Sequence, residues 1–516
     1  MRTWIRSISK FKTGILLILV LLLAAGLRLY GLKIQSLWND EFFSLWISSF
    51  NNLKDVFIKG IIPDTQPPAY QVILFIVIRL FGNSESALRM PSAISGILAV
   101  WGTFLVGKQL YSEKEGVLGA AIMAVSWTPV YYSQEARSGM LMVFSTVFAV
   151  YFWLKILACL HEEKKIPIKL TFAYFFFAVL SCYVHYFALA FIALQALLSL
   201  VFFFGNRAKV KTILFLYLII VITYLPWLPS FIHQFTSSQG RIAWISVPGP
   251  QVIIKFFLFV FGKSYKLVWA ILVFVLIYLG YLIFKNIQKR GLLTDNQQIV
   301  GPKYPVSPDL LLVLWFALPV AILYGVSISL KPLFVNRYLL FVLPAGYLLL
   351  ARSIFGIPLK GIFKSLLAVL LVLYLFNNLI FTRGYYTSVL KEPFRTVAEY
   401  IDDSHIENSI VITNDLLPYS FDYYFNQMGS GQHVDLKLWR WVESMDQSAE
   451  VTQAIREHNA DYFWYIKQII NPSNDTELIN YLDKSYDLIQ HKIFRDDWGG
   501  GYGFYVYLYS TRASSP

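Results

Sequence analysis

The sequence predicts a polytopic α-helical membrane domain followed by a separate extracytoplasmic α/β domain. Three observations predict it. The chain of 516 residues is 57% hydrophobic and only 15% charged, with a mean hydropathy of +0.55, whereas soluble domains carry about 25% charged residues. Apolar runs recur from Gly14 to Phe381, and the loops between them are alternately rich and poor in Lys and Arg. Beyond about Lys391 the runs stop, and short helical and β-branched segments alternate as in a soluble layered domain.

The amino terminus carries Arg2, Arg6, Lys10 and Lys12 ahead of the first apolar run, so it stays in the cytoplasm and the run crosses outward. That run is too long, and too poor in a small-residue cleavage site, for a removed signal peptide; it reads as a retained anchor. The next stretch, Ser36 to Trp46, therefore lies outside. It sets Asp40 and Glu41 among Trp38, Phe42, Phe43 and Trp46, and aromatic residues of this kind favour the headgroup interface. Ala69 to Phe81 is apolar but short, in the range of interfacial or re-entrant segments. Counting it as a span would invert every later loop and move the basic clusters outside, so it is expected not to cross. The first extracytoplasmic loop then covers 31–87.

The remaining spans are expected at 88–110, 117–131, 140–160, 168–184, 187–204, 212–229, 267–284, 310–327, 338–350 and 363–381, about 11 in all with the first. The short run 251–261 is expected as an interfacial helix on the outer side. An odd number of spans leaves the carboxyl terminus outside. The expected domains are thus a membrane domain over 1–386 and a soluble α/β domain over 387–516. In the latter, helices are expected at 394–402, 416–426 and 448–458. Strands are expected at 409–413, 461–466 and 503–510, with an alternating stretch at 434–439 and a glycine turn at 499–501.

Net charge is +13, which a cytoplasmic excess of Lys and Arg explains without a nucleic-acid partner. The two cysteines, Cys159 and Cys182, fall near opposite ends of successive spans and are expected to be free.

With this topology the outer loops collect polar residues from distant parts of the chain. The loop after the third span holds Gln134, Glu135 and Arg137; the loop after the fifth holds His185 and Tyr186; the loop after the ninth holds Lys331, Arg337 and Tyr338. Charges near membrane depth are costly and usually line a cavity or pathway. Snorkelling and the nearby Glu135 offer Arg137 a purely structural role. A carboxylate to take a proton, arginines to receive a phosphate forkwise and an aromatic outer rim suit one reaction class: sugar transfer from a lipid phosphate to a hydroxyl or amine. The Asp40–Glu41 pair also offers oxygen ligands for Mg2+ or Mn2+, although two carboxylates alone do not make a site.

Trp38-Asn-Asp-Glu41, Gln66-Pro-Pro-Ala-Tyr70, Ala87-Leu-Arg-Met-Pro-Ser92, Tyr132-Ser-Gln-Glu-Ala-Arg137 and Arg337-Tyr-Leu-Leu340 together resemble the multispanning glycosyltransferases related to dolichyl-phosphate-mannose protein mannosyltransferases. The lipid A aminoarabinose transferases share the same GT-C architecture. The resemblance covers the membrane part. It implies a polyprenyl-phosphate-linked sugar donor, an acceptor in the cell envelope, inversion at the anomeric carbon, an active site in the outer leaflet and Asp40 as general base beside Glu41. It places Gln66 and Tyr70 with the outer-loop residues in the substrate site. Many relatives have His where this chain has Gln66, and a bulky pair where it has Ser138-Gly139, which is expected to widen the pocket. A transporter or lipid flippase would show hydropathy symmetry and broken spans in corresponding positions, and neither is evident. A polysaccharide polymerase or ligase using lipid-diphosphate donors leaves the Asp40–Glu41 pair without a role.

Overall fold

The computed structural model describes residues 2–237, 245–291, 303–413, 420–428, 436–437, 447–469, 476–497 and 503–511. The chain forms two compact units, Met1–Tyr30 with Ile47–Arg383, and Gly31–Trp46 with Gly384–Pro516. This division departs from a boundary at 386 in one respect. Gly31–Trp46, the start of the first outer loop, belongs to the unit built by the carboxyl-terminal residues.

The first unit is helical. Among the described residues, seven of its helices are long and apolar enough to cross a membrane: Phe11–Leu29, Glu85–Leu110, Gly139–His161, Arg207–Ser237, Pro308–Ser329, Asn336–Gly356 and Gly361–Thr382. Gln251–Val260 and Tyr265–Tyr278 bend by 96° at their junction and together would make an eighth. Ile168–Val184 and Tyr186–Phe202 are apolar helices of 17 residues each, close to the lower limit for a span. Ala69–Phe81 is a separate 13-residue helix, too short to span by the same measure. The expected span at 117–131 is broken at Ser126 into Glu113–Val125 and Trp127–Ser133. Leu16, Leu19, Leu22, Phe172, Phe176, Leu366, Leu370 and Leu373 are all exposed. On a soluble protein such surface would drive aggregation; on a membrane protein it is the lipid face.

The interior of this unit holds charge where sequence reading saw only a span end. Arg28 is fully buried. Its guanidinium donates to the carbonyls of Ala124 at 3.0 Å, Met123 at 3.0 Å and Ala24 at 3.3 Å. Met123 and Ala124 lie in the last turn of Glu113–Val125, whose carbonyls have no partner within the helix. Arg28 thus satisfies the break at Ser126, where water is scarce. The helix Glu85–Leu110 closes onto the same place: a Cβ at Gly96 would lie 2.1 Å from Ser133 Oγ and 2.9 Å from Arg28 Nε.

The second unit is an α/β layer. Its sheet has the order β2-β1-β3-β5-β4, with β1 at Ser409–Thr413, β2 at Leu436–Lys437, β3 at Tyr462–Gln468, β4 at Asp487–Arg495 and β5 at Gly503–Ser510. β1 pairs in parallel with β2 and β3, while β5 runs antiparallel to β3 and β4. The sheet is therefore partly parallel, as the alternation of helix and strand predicts. On one face Ile410, Ile412, Phe463, Tyr465 and Tyr509 pack with Val451 and Ile455 of Gln447–His458 and Leu478 and Leu482 of Thr476–Ser485. The helix Phe394–Asp402 packs elsewhere on the sheet, with the Phe394 ring 4.7 Å from Phe504 and Tyr400 5.8 Å from Trp464.

The helix Thr476–Ser485 and strand β4 have no counterpart in the sequence reading. β4 is an edge strand exposed along nearly its whole length, so burial imposes no clean alternation on it. The described part of the helix expected at 416–426 is Ser420–Met428. The glycine turn at 499–501 lies outside the described residues, as does the stretch at 434–439 apart from β2.

Candidate active site

The loop after Trp127–Ser133 is fixed by backbone capping. The Gln134 amide donates to the carbonyls of Tyr30 at 2.7 Å, Arg28 at 3.1 Å and Leu27 at 3.4 Å. These lie at the carboxyl end of the first helix, where carbonyls need outside donors. Gln134 is therefore a structural clasp on the end of the first helix. Tyr70 and Ser92 hydroxyls meet at 2.9 Å, and Ser92 donates to the Arg137 carbonyl at 3.0 Å. This short relay ties Ala69–Phe81, Glu85–Leu110 and the 134–138 loop together. Tyr70 is buried, so its hydroxyl serves this relay. Glu135 is buried as well.

Arg137 is left half-buried at the end of this clasp. His185 occupies the turn between Ile168–Val184 and Tyr186–Phe202 and is 5% exposed. Its Nδ1 accepts from the Phe187 N–H at 3.2 Å, capping the second helix. Burial, then the positive charges of Arg137 and Arg337, lower its pKa to about 3. Neutral imidazole is the form such surroundings favour. Three residues far apart in sequence are thus close enough to act on one another. Tyr338 completes the cluster, stacked on Phe187 at 4.9 Å and tilted against His185 at 5.6 Å between ring centres.

Gly139 has a different role from the widened pocket that sequence suggests. A Cβ there would lie 2.9 Å from Leu340 Cδ1. The missing side chain lets the 134–139 loop approach the helical turn Asn336–Val342, which carries Arg337. The space beside Gly139 is taken by Leu340.

Three other expected residues form a second set. Gln234 donates to the carbonyls of Ile61 at 2.6 Å and Gln66 at 3.4 Å. Its own carbonyl accepts from the Tyr186 hydroxyl, and that hydroxyl also accepts from Trp227 Nε1 at 3.3 Å. Lys331 lies over the Phe235 ring at 5.7 Å. Gln66 and Tyr186 are therefore bridged by Gln234, and Lys331 rests on the residue beside it in sequence. Asp64, buried in the same 61–66 turn and close enough to Tyr186 to act on it electrostatically, was missed. Its only sequence signal is its place two residues before Gln66.

Asp40 and Glu41 open the helix Asn39–Ser48, in the second unit. Glu41 is 0% exposed and its Oε2 accepts from Lys391 Nζ at 3.0 Å, itself 3% exposed. Asp40 is half-exposed. Adjacent helical residues diverge by about 100°, and here one carboxylate turns inward while the other stays accessible. Lys391 was missed because nothing in sequence links it to residue 41. No group of three or more His, Cys, Asp or Glu gathers among the described residues as a metal site. With Glu41 held by an ammonium, the Asp40–Glu41 pair does not fit a divalent cation.

Residues 65–233, about a third of the chain, match the family described as dolichyl-phosphate-mannose-protein mannosyltransferase. No curated protein matches by sequence. The fold is similar to that of ArnT from Cupriavidus metallidurans in the apo state, with a TM-score of 0.53 at 12% identity over 98% of this chain and 100% of that one. The same ArnT bound to undecaprenyl phosphate gives 0.50 at 11% identity over 97% and 99%. The apo oligosaccharyltransferase of Archaeoglobus fulgidus gives 0.53 at 11% identity, covering 96% of this chain and 74% of that one. The matched family segment holds Gln66, Tyr70, Gln134, Glu135, Arg137, His185 and Tyr186, and excludes Asp40, Glu41, Lys331, Arg337 and Tyr338. The chain is a multi-pass membrane protein of GT-C fold, and its residues 65–233 are similar to the dolichyl-phosphate-mannose-protein mannosyltransferases.

Proposed function

We propose that this protein is an inverting glycosyltransferase that moves a sugar from a polyprenyl-phosphate donor to an envelope hydroxyl or amine at the outer face of the membrane. The observation that carries the reading is that the loop bearing Arg137 and the turn bearing Arg337 meet, Gly139 against Leu340, with Tyr338 of that turn packed on the buried His185, whose pKa both arginines lower. Two guanidiniums beside an uncharged imidazole suit a phosphate monoanion or dianion, which a third positive charge would not be needed to hold. The family match and the undecaprenyl phosphate bound by ArnT support a lipid-phosphate ligand of this kind.

In the proposed reaction the acceptor oxygen or nitrogen bonds to the anomeric carbon as the bond from that carbon to the phosphate oxygen breaks. The bonding pair leaves with the phosphate, and Arg137 and Arg337 stabilise the charge it gains. The acceptor proton passes to the Asp40 carboxylate. A carboxylate is a weak base, but it serves when the transition state resembles an oxocarbenium ion and proton transfer is late. No step is assigned to a metal.

The test uses purified protein in nanodiscs with undecaprenyl-phosphate-linked sugars as donors and envelope extract as acceptor, following release of undecaprenyl phosphate. Asp40→Asn keeps the shape and loses the charge. It should bind undecaprenyl phosphate as the wild type does while transfer falls about 100-fold or more. Normal transfer by that variant would remove Asp40 from the mechanism.

A further inference from the structure

The second unit contains a buried ion pair that the proposed reaction does not use, and it lies one residue from the proposed base. Glu41 and Lys391 are joined at 3.0 Å, both out of solvent. The contact is not isolated. The Leu37 N–H donates to the Tyr424 hydroxyl at 2.7 Å. The Gln35 amide donates to the Ser388 carbonyl at 2.8 Å, and its oxygen accepts from the Leu390 N–H at 2.9 Å. The Arg395 N–H donates to Ser36 Oγ at 3.2 Å. Phe42 packs edge-on against Phe394, Tyr423 and Tyr424, with ring centres 5.2, 5.7 and 5.9 Å away. Every residue from 35 to 42 that makes these contacts meets a partner from 388–424.

We infer that Lys391 is a positioning residue for the transfer reaction, acting through Glu41, and that the carboxyl-terminal unit holds the Asp40 segment as part of the catalytic apparatus. The inference rests on the proposed role of Asp40. A buried ion pair is a poor source of stability, because desolvation offsets most of the attraction. Its value lies in direction: with Glu41 pinned inward, the first turn of Asn39–Ser48 has one rotational setting, and the direction of Asp40 is set with it. The ammonium also neutralises the carboxylate beside Asp40, so the base works without an uncompensated negative neighbour. Displacing a reacting group by about 1 Å is enough to cost 100-fold in rate.

The experiment is a double-mutant cycle on full-length protein in nanodiscs: Lys391→Met, Glu41→Gln and both together, with Tyr424→Phe as a milder variant. Readouts are kcat, donor KM and the stoichiometry of undecaprenyl phosphate bound, so that unfolded protein is counted separately. Lys391→Met and Glu41→Gln should each lower kcat by up to about 100-fold with donor KM and stoichiometry unchanged. The double variant should lose no more than the worse single one, because the two act as a unit. Tyr424→Phe, which keeps the ring and removes the hydroxyl that accepts from Leu37, should lower kcat about fivefold, the worth of one net hydrogen bond. Additive losses in the cycle, or wild-type kcat in Lys391→Met, would overturn the inference. If Lys391→Met fails to fold, unchanged kcat in Tyr424→Phe overturns it. Should Asp40→Asn itself transfer normally, it is the proposed base that fails. A dead Asp40→Asn beside an additive cycle isolates the failure to Lys391.

Discussion

The rings of Phe187 and Tyr338 stack at 4.9 Å with their planes 17° apart, fixing the helical turn that carries Arg337 to the start of the helix that follows His185. An aromatic pair of this kind is worth about 0.5–1.5 kcal/mol beyond its buried area. Tyr338→Ala should therefore loosen the Arg337 turn, raising donor KM and lowering the unfolding temperature in detergent. Tyr338→Phe keeps the stack and should behave as wild type. A loss of donor affinity in Tyr338→Phe equal to that in Tyr338→Ala would mean that the hydroxyl, and not the stack, does the work.

The two arginines are expected to act on the leaving phosphate. Losing one charge-assisted contact in a dry site costs about 2–4 kcal/mol, so Arg137→Ala and Arg337→Ala should each slow transfer by about 30- to 1000-fold. Arg137→Lys should recover only part of the rate, since an ammonium cannot make a forked contact. Transfer kinetics in nanodiscs check this, and wild-type turnover in both alanine variants would exclude them from the chemistry.

His185 gives the cluster a pH dependence. Its pKa falls from the ordinary value near 6.5 to about 3, first by burial and then by Arg137 and Arg337. The unfolded chain therefore binds this proton at a pH where the folded protein does not. Stability associated with His185 is fully present above about pH 6.5 and is progressively lost as pH falls toward 3. Thermal unfolding of detergent-solubilised wild type and His185→Gln across that window should show a steeper acid loss in the wild type. Equal slopes would place the imidazole in surroundings less buried and less positive than these.

Orientation is tested by labelling intact cells with a membrane-impermeant thiol reagent, after Cys159 and Cys182 have been replaced. Single cysteines at Lys33, which is exposed in the same segment, and at Ser448 should both react, and one at Ser112 should not. Protection at Ser448 together with reaction at Lys33 would make the number of spans even and require Ala69–Phe81 to cross.

Sequence by itself determined the membrane class, the position of most helices and the partly parallel sheet, because these follow from hydropathy and from periodicities that are local along the chain. The helix Phe394–Asp402 and the strands Ser409–Thr413 and Gly503–Ser510 fall where their spacing put them. Local signals did not reveal β4, whose exposure leaves no alternation to read, nor the break at Ser126, which is stable only because Arg28 supplies donors from another helix. The outer-loop arginines were legible as unusual charges, since topology disfavours them where they stand. Their convergence on His185, the use of Gln134 as a clasp and the pairing of Glu41 with Lys391 were decided by tertiary structure. Each of these depends on a distance between residues from about 50 to 350 positions apart, and a buried polar group takes whatever partner the fold brings within reach, a choice that no local pattern encodes.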